Sequence, residues 1–184
     1  MKDLKRFCLM LLAAAVVLTP LMALATTADI PEYGVTVHFP ASLDVFTHNM
    51  AADNPVLALY DTTADEVRGM LSSRGLAAKA QDIAGKFVIT LSLSSAGGQD
   101  IGLMDEEALL AFASRYGGES YEVIPHQSGS FLMIKNEEAR QITCVFEGNG
   151  LLYELRLSAS SRLRSNMTSI LKDIIRHTEF SLGQ

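Results

Sequence analysis

The stretch that decides the fold runs from Gln141 to Ser158 and reads QITCVFEGNGLLYELRLS. Apolar and polar residues alternate on both sides of Gly148-Asn149-Gly150, which is typical of strands that bury one face. Glycine and asparagine tolerate the positive φ angles that so short a connection needs. The stretch therefore predicts an antiparallel hairpin, with strands from Gln141 to Glu147 and from Leu151 to Ser158.

The region before the hairpin predicts a helix followed by two more strands. Asp105 can cap a helix that extends to Tyr116 and ends at Gly117-Gly118. Alternation then places strands from Glu119 to Ile124 and from Ser130 to Lys135. Together with the hairpin, these give four strands in succession.

The first half of the chain predicts another helix, which lies between pairs of strands. Thr63-Ala64-Asp65-Glu66 has the form of a capping box, and Gly75 can close the helix that follows. After the hairpin, a last helix is predicted from about Ser161 to His177, because its apolar residues have the spacing of a core-facing stripe. The remaining expectations are a polar leader from Thr26 to Glu32 and strands over Tyr33 to Phe39, Val45 to Thr47, Val56 to Tyr60, Leu76 to Asp82 and Phe87 to Leu93.

This order of elements predicts an α+β fold, in which helices cover an antiparallel sheet as an α/β/α sandwich. The opening Tyr33-Gly34-Val35-Thr36-Val37-His38-Phe39-Pro40, the following Asp44-Val45 and a C-terminal helix ending near Phe180 resemble the PsbP-like α/β sandwich group. That group is named for an extrinsic photosystem II subunit and includes many bacterial envelope proteins. The resemblance implies a binding or assembly role, commonly non-enzymatic, and no particular ligand.

Residues Met1 to Ala25 have the order of a bacterial-type secretory signal, with Lys2 and Lys5 near the start, an apolar run, and then Ala23-Leu24-Ala25. An uncleaved N-terminal anchor is the alternative, because the apolar run is nearly long enough to span a bilayer. The small residues at its end favour cleavage after Ala25. We therefore predict a secreted or otherwise extracytoplasmic protein with one domain, residues 26–184, and no stable membrane insertion after cleavage.

Cleavage would change both the charge and the cysteine content of the chain. It would remove three of the 15 basic residues and one of the 21 acidic ones, so 12 and 20 would remain and the net charge would be −8. Nucleic acid is not an expected partner, because its binding depends on clustered cations. Cys8 would be lost with the signal and Cys144 would have no partner for a disulfide. Alternation places Cys144 beside Ile142 and Phe146, which favours a buried, inert thiol.

No cofactor or metal site is predicted, because the histidines are scattered and the glycine pairs lack a phosphate-binding motif. The nearest approach to a catalytic cluster is Ser130 with His126 and Glu122, which would supply a nucleophile, a base and a carboxylate. No G-x-S-x-G elbow accompanies them, and His126-Gln127-Ser128-Gly129 is more simply a hairpin turn. A binding protein is therefore favoured over an enzyme.

One local rule is broken at the predicted start of the last helix. Arg162 and Arg164 are expected in its first turn, beside Ser160 and Ser161, where the helix dipole disfavours cations. With Arg156, they form the most basic stretch of an acidic protein. They are a candidate site for an anion or a partner carboxylate, although exposed charges contribute little and a solvated turn whose cations contact nothing is the favoured interpretation.

The first functional hypothesis is therefore an exported, non-enzymatic binding or assembly module whose partner is an unknown protein or a small anionic ligand. The alternative is a carrier of a hydrophobic ligand or an envelope-assembly factor, since apolar helix faces could line a cavity as well as a core. A hydrolase that uses Ser130 and His126 is the third possibility.

Overall fold

The structure is a computed structural model that describes residues 26–98, 100–118, 120–148 and 150–181. The predicted secretory signal, residues 1–25, lies outside the described residues. The strands are β1 (Thr26–Ile30), β2 (Val35–Phe39), β3 (Leu43–Thr47), β4 (Leu76–Asp82), β5 (Phe87–Ser95), β6 (Ser120–His126), β7 (Gly129–Asn136), β8 (Gln141–Gly148), β9 (Leu151–Ala159) and β10 (Glu179–Phe180). The α-helices are α1 (Pro55–Leu59), α2 (Ala64–Ser73), α3 (Glu106–Ser114) and α4 (Ser165–His177).

The larger sheet has the strand order β3-β4-β5-β9-β8-β7-β6, and all of its neighbouring strands are antiparallel. The predicted hairpin of β8 and β9 is confirmed, with Gln141 opposite Ser158. At the centre of the sheet, β5 pairs with β9 and Ile89 lies opposite Leu157. The α+β class and the antiparallel sheet predicted from the sequence are thus confirmed.

The inner face of this sheet is covered by a small antiparallel sheet, with the order β1-β2-β10, and by α4. Val35 and Val37 of β2 and Leu171 of α4 are buried in the same core cluster as Ile89 and Leu157. Helix α4 also contacts β2. The second layer of the sandwich on this side is therefore part sheet and part helix.

The expected polar leader from Thr26 to Glu32 was wrong, because Thr26–Ile30 forms β1. Its residues pair with β2, and Ala28 lies opposite Val37. Within this short polar segment, Ala28 and Ile30 alternate with polar residues and are almost fully buried. The two buried side chains gain their burial from neighbours on other elements, so the segment alone gives only a weak strand signal.

Two helices cover the flanks of the outer face. Helix α2 packs over β3 and β4, with Leu71 buried beside Phe46. Its predicted capping box is confirmed, since Thr63 accepts from the N–H of Glu66 at 3.3 Å and the Glu66 carboxylate accepts from the N–H of Thr63 at 2.8 Å. Helix α3 packs over β7 and β8, and its Phe112 is buried in a cluster with Leu132 and Val145 of these strands. The central strands β5 and β9 are left between the two helices.

Two other predicted elements need correction. Val56 to Tyr60 is not a strand, because the Asn54 side chain accepts from the N–H of Val56 at 3.0 Å and caps α1. Proline at the first position of that helix suits the fixed φ angle. The last helix begins at Ser165, and Arg164 is its extended N-cap residue. Arg162 and Arg164 therefore precede the first helical turn instead of lying in it.

Cys144 is fully buried in the inner core, as alternation predicted. Burial raises the pKa of its thiol, which makes the reactive thiolate rare. Among the described residues, no helix is both long enough and apolar enough to span a membrane.

Candidate functional site

A groove of about 730 Å³ lies where the C-terminal half of β2 faces the C-terminal end of α4. We call it the β2 groove. Two smaller grooves, of about 420 and 400 Å³, continue from it along α4, and Arg176 lines all three. The residues that line the β2 groove are His38, Phe39, Pro40, Ala41, Gln127, Asp173, Arg176, His177, Thr178 and Glu179.

The β2 groove lies along the part of a β2 edge, beyond Thr36, that has no described partner strand. On this edge β10 pairs only with Val35 and Thr36. The residues that precede Glu179 belong to the end of α4 and its cap, so β10 does not continue alongside His38. The N–H of Ser181 donates to the C=O of Gly34 at 2.8 Å, so the backbone of Gly34 faces this edge. Backbone groups of alternate residues face the same edge of a strand. The N–H and C=O of His38 therefore face the groove with no described strand opposite them.

Pairing of β1 with the other edge of β2 supports the same orientation. Thr27 lies opposite His38, and the Thr27 hydroxyl is 3.3 Å from Nδ1 of His38. Such close side chains are expected at a non-hydrogen-bonded pair, in which the backbone groups point away from the neighbouring strand. Thr36 and Asp29 repeat this arrangement, with 3.1 Å between the Thr36 hydroxyl and the Asp29 carboxylate.

Charged side chains of both signs surround the β2 groove. Nε2 of His38 is 3.7 Å from the Glu179 carboxylate, and Nδ1 of His177 is 3.8 Å from that of Asp173. Arg176 donates to the same Asp173 carboxylate at 3.2 Å. All of these pairs are partly exposed, so they hold their partners weakly and remain available to a ligand.

His126 lines the neighbouring groove, is partly buried and contacts two aromatic rings. Its ring centroid is 5.5 Å from that of Phe131 and 5.8 Å from that of Phe180. Nδ1 accepts from the N–H of Ser128 at 3.1 Å, whereas the buried Nε2 has no hydrogen-bond partner among the described residues. Burial lowers the pKa of His126, and the backbone of Thr178 only partly offsets this.

The hydrolase interpretation was wrong about geometry, because His126 and Ser130 lie on opposite faces of the β6–β7 hairpin. His126 points into the inner core beside Phe131. Ser130 lies on the outer face, where its Oγ would be 3.5 Å from a Cβ built on Gly102. The imidazole therefore cannot take a proton from the Ser130 hydroxyl in this arrangement. The predicted hairpin turn at His126 to Gly129 is confirmed.

Arg156 lies apart from the other residues of the predicted anion site. It is on the outer face of β9, where its Nη2 is 2.5 Å from the Glu154 carboxylate. Ser160 follows four residues later, which along a strand is about 13 Å. Arg156 instead lies in an uncovered strip of the outer face, which we call the sheet trough and define by Lys79, Thr90, Ser92, Glu154 and Arg156.

The rest of the predicted anion site lies in the connection between β9 and α4. Arg162, Arg164 and Ser161 are exposed there. Ser160 is engaged in the fold, since its hydroxyl donates to the C=O of Lys86 at 2.9 Å and its C=O accepts from Arg140 at 3.2 Å. A site that combines Arg156 with Arg162 and Arg164 stays a prediction.

The described residues hold no cluster of three or more His, Cys, Asp or Glu side chains that could bind a metal ion. The β2 groove nevertheless brings His38 and His177 to one place, although they are 139 positions apart in the sequence. No spacing rule connects two such positions, because their proximity depends on α4 returning beside β2. The open edge of β2 could have been suspected only from the shortness of its partner strand.

The arrangement of strands and helices is similar to that of a known protein. The solution structure of cyanobacterial PsbP (CyanoP) from Synechocystis sp. PCC 6803 matches 86% of this chain and 94% of that chain, with a TM-score of 0.52 and 11% sequence identity. The chain has a PsbP-like fold. The resemblance predicted from the sequence is thus confirmed at the level of the fold. No protein-family model matches the chain, and no curated protein matches its sequence.

Proposed function

We propose that the chain is an exported, non-enzymatic module that binds an extended segment of a protein partner in the β2 groove. The observation that carries the proposal is the unpaired backbone of His38 beside a groove of about 730 Å³. An extended segment can donate to the C=O of His38 and accept from its N–H. It would then continue the position that β10 occupies beside Thr36, which is strand addition to a sheet edge.

The rim of the groove can select the side chains of such a segment. Successive side chains of an extended peptide point in opposite directions, so one set faces α4 and the other faces solvent. Arg176 and Asp173 border the groove on the α4 side, and Glu179 borders it beside His38. A segment with polar or charged residues at alternate positions fits these neighbours better than an apolar one.

Export and assembly are parts of the same proposal. The order of residues 1–25 supports export, and the PsbP-like fold is compatible with a binding or assembly module. A fold by itself names no partner, so the nature of the proposed partner follows from the groove alone.

A hydrophobic-ligand carrier has less support. The interior space lined by Val35, Leu91, Phe131, Tyr153 and Phe180 measures only about 20 Å³. A water molecule needs about 10–15 Å³ of such space, so the cavity is the size of one or two waters and an acyl chain would not fit without repacking. The stacked rings of Phe131 and Phe146, with centroids 4.8 Å apart, occupy this region instead.

The test uses two substitutions at one residue. His38→Pro removes the N–H that faces the groove, and proline is tolerated at a strand edge where that N–H has no partner strand. His38→Gln is the matched control, because it removes the imidazole and keeps the backbone N–H. Short random peptides are displayed on phage, selected on the wild-type protein and measured by fluorescence polarisation.

We expect the selected peptides to bind wild type and His38→Gln within about threefold of each other, and to bind His38→Pro about tenfold more weakly. The amide signal of His38 should shift when peptide is added to labelled wild-type protein. If no peptide binds wild type, or if His38→Pro binds as well as His38→Gln does, the proposed strand addition is wrong. Thermal unfolding of both variants checks that the fold is retained.

A further inference from the structure

The sheet trough lies on the other side of the larger sheet from the β2 groove. Helix α2 covers β3 and β4, helix α3 covers β7 and β8, and the central strands β5 and β9 are left uncovered between them. Thr90 and Ser92 of β5 and Glu154 and Arg156 of β9 are partly exposed there. The polar residues at these positions therefore lie on the outer face between the two helices.

Cross-strand pairing places one hydroxyl between two cations. Thr90 lies directly opposite Lys79 on one side and Arg156 on the other. Residues directly opposite each other have Cβ atoms about 5 Å apart, so the Lys79 and Arg156 Cβ atoms are about 10 Å apart with Thr90 midway. Both cationic side chains are long enough to reach the space above the Thr90 hydroxyl. The Lys79 ammonium lies over the Phe46 ring, on the side away from Thr90, so it would have to turn toward Thr90 to contact a ligand there.

Lys79 is the cation of the trough that has no carboxylate partner among the described residues. The Lys79 ammonium lies 5.4 Å from the ring centroid of Phe46, and it forms no ion pair with a described carboxylate. Burial lowers the pKa of Lys79, and the nearby charge of Arg74 lowers it further. An anion placed above Thr90 would oppose both effects, because its negative charge would stabilise the protonated form of Lys79.

The guanidinium of Arg156 is only partly engaged in hydrogen bonds. Its Nη2 is paired with Glu154, whereas its Nε is buried and has no hydrogen-bond partner among the described residues. Glu154 also accepts a hydrogen bond from Tyr116; burial and then the charge of Glu154 raise the pKa of that phenol. Glu154 is therefore held on the α3 side of the trough, and the guanidinium remains available on the Lys79 side.

We propose that the sheet trough binds a small anionic group, a phosphate or a carboxylate, between Lys79 and Arg156 above Thr90. Arg156 contributes a planar set of donors, Lys79 a flexible charge, and Thr90 a hydroxyl. Glu154 competes with the ligand for the guanidinium. The site is independent of the β2 groove, and it differs from a site at Arg162 and Arg164.

The experiment titrates labelled full-length mature protein with inorganic phosphate and, separately, with succinate at constant ionic strength, using amide chemical shifts. We expect saturable shifts centred on Thr90 and Arg156 with at least one of the two anions. Arg156→Gln and Lys79→Gln should each weaken binding about tenfold. The double variant Arg162→Gln with Arg164→Gln is the matched control and should bind within about twofold of wild type.

Glu154→Gln separates ligand binding from damage to the fold. It removes the competing carboxylate and keeps an acceptor for Tyr116, so binding should become several-fold tighter, which no misfolded variant would show. The proposal is overturned if neither anion gives saturable shifts, if Glu154→Gln weakens binding, or if only the variant at Arg162 and Arg164 loses it. A preference between phosphate and succinate assigns the anionic group.

Discussion

The two faces of the central strands β5 and β9 are built from alternate residues of the same segments, yet they differ in almost every property. On the inner face, Ile89 and Leu157 are 0% exposed and lie beneath the small sheet and α4. On the outer face, Thr90 and Arg156 are partly exposed and no helix covers them. Because side chains alternate along a strand, one segment can place apolar residues in the core and polar residues on the outer face.

The two faces differ in how many polar side chains the fold tolerates. The inner face must be closely packed, because burial there holds the two layers together and Cys144, the cysteine among the described residues, is a free thiol. The outer face is stabilised at its flanks by α2 and α3, so its centre is free to carry charges and hydroxyls. Polar residues at the middle of a sheet are therefore a stronger sign of function than polar residues in a loop.

The largest effect is expected from a paired test of the two faces. Leu157→Ala removes a fully buried side chain and should lower the free energy of unfolding by about 2–5 kcal/mol. Thr90→Ala, one strand away on the outer face, should change it by less than about 1 kcal/mol. Urea unfolding of both variants measures the difference. Equal losses would mean that the outer face is packed as closely as the inner one.

The sheet could be predicted from the sequence because its strands are long and strictly alternating. Phe87, Ile89 and Leu91 of β5 are buried, and so are Ile142, Cys144 and Phe146 of β8. The caps of α2 and α3 were predicted for a similar reason, since Thr63 and Asp105 act on residues only three positions away. Local patterns of this kind do not depend on the rest of the fold.

The small sheet and the β2 groove could not be predicted because they depend on distant contacts. The Tyr153 hydroxyl donates to the C=O of Tyr33 at 2.9 Å, and these residues are 120 positions apart. The position of the groove likewise depends on α4 lying beside β2. Without knowledge of that packing, His38 and His177 are two isolated histidines.

The three arginines of the predicted anion site lie on different elements of the fold. Arg156, Arg162 and Arg164 are close in sequence, but strand β9 carries the first to the outer face and the connection to α4 carries the others to the end of the sheet. The partners of Arg156 in the sheet trough, Lys79 and Thr90, lie more than 60 positions earlier. Register between strands was needed to find them.

An intermediate effect is expected at the cap of α2, which forms one flank of the trough. Thr63→Ala removes the acceptor for the N–H of Glu66 and should cost about 1 kcal/mol of unfolding free energy. Thr62→Ala is the matched control, because the Thr62 hydroxyl contacts the Glu66 carboxylate at 3.1 Å without capping the helix. The control should lose less than about 0.5 kcal/mol. Equal losses in urea unfolding would contradict the capping role.

The smallest effect is expected from the pH dependence of the inner core at His126. Burial among Phe131 and Phe180 lowers the pKa of His126 from its ordinary value of 6.5, so the folded state favours the neutral ring. Below pH 6.5 the unfolded chain binds more protons at this residue than the folded chain does. Its contribution to stability is therefore present above pH 6.5 and is lost as the pH falls through the lowered pKa.

His126→Phe tests this by replacing the imidazole with a ring that cannot be protonated. The charged residues nearest to this position, Glu122, Lys172 and Arg176, are the same in both proteins, as are the other histidines, so their contributions cancel to first order in the difference. Urea unfolding between pH 8 and pH 5 should show that wild type loses more stability on acidification than the variant does. Parallel profiles would mean that His126 is as easily protonated in the folded core as in the unfolded chain. His126, at the tip of the β6–β7 hairpin, would then be exposed to solvent in the folded state. The closely packed inner face would not extend as far as this tip.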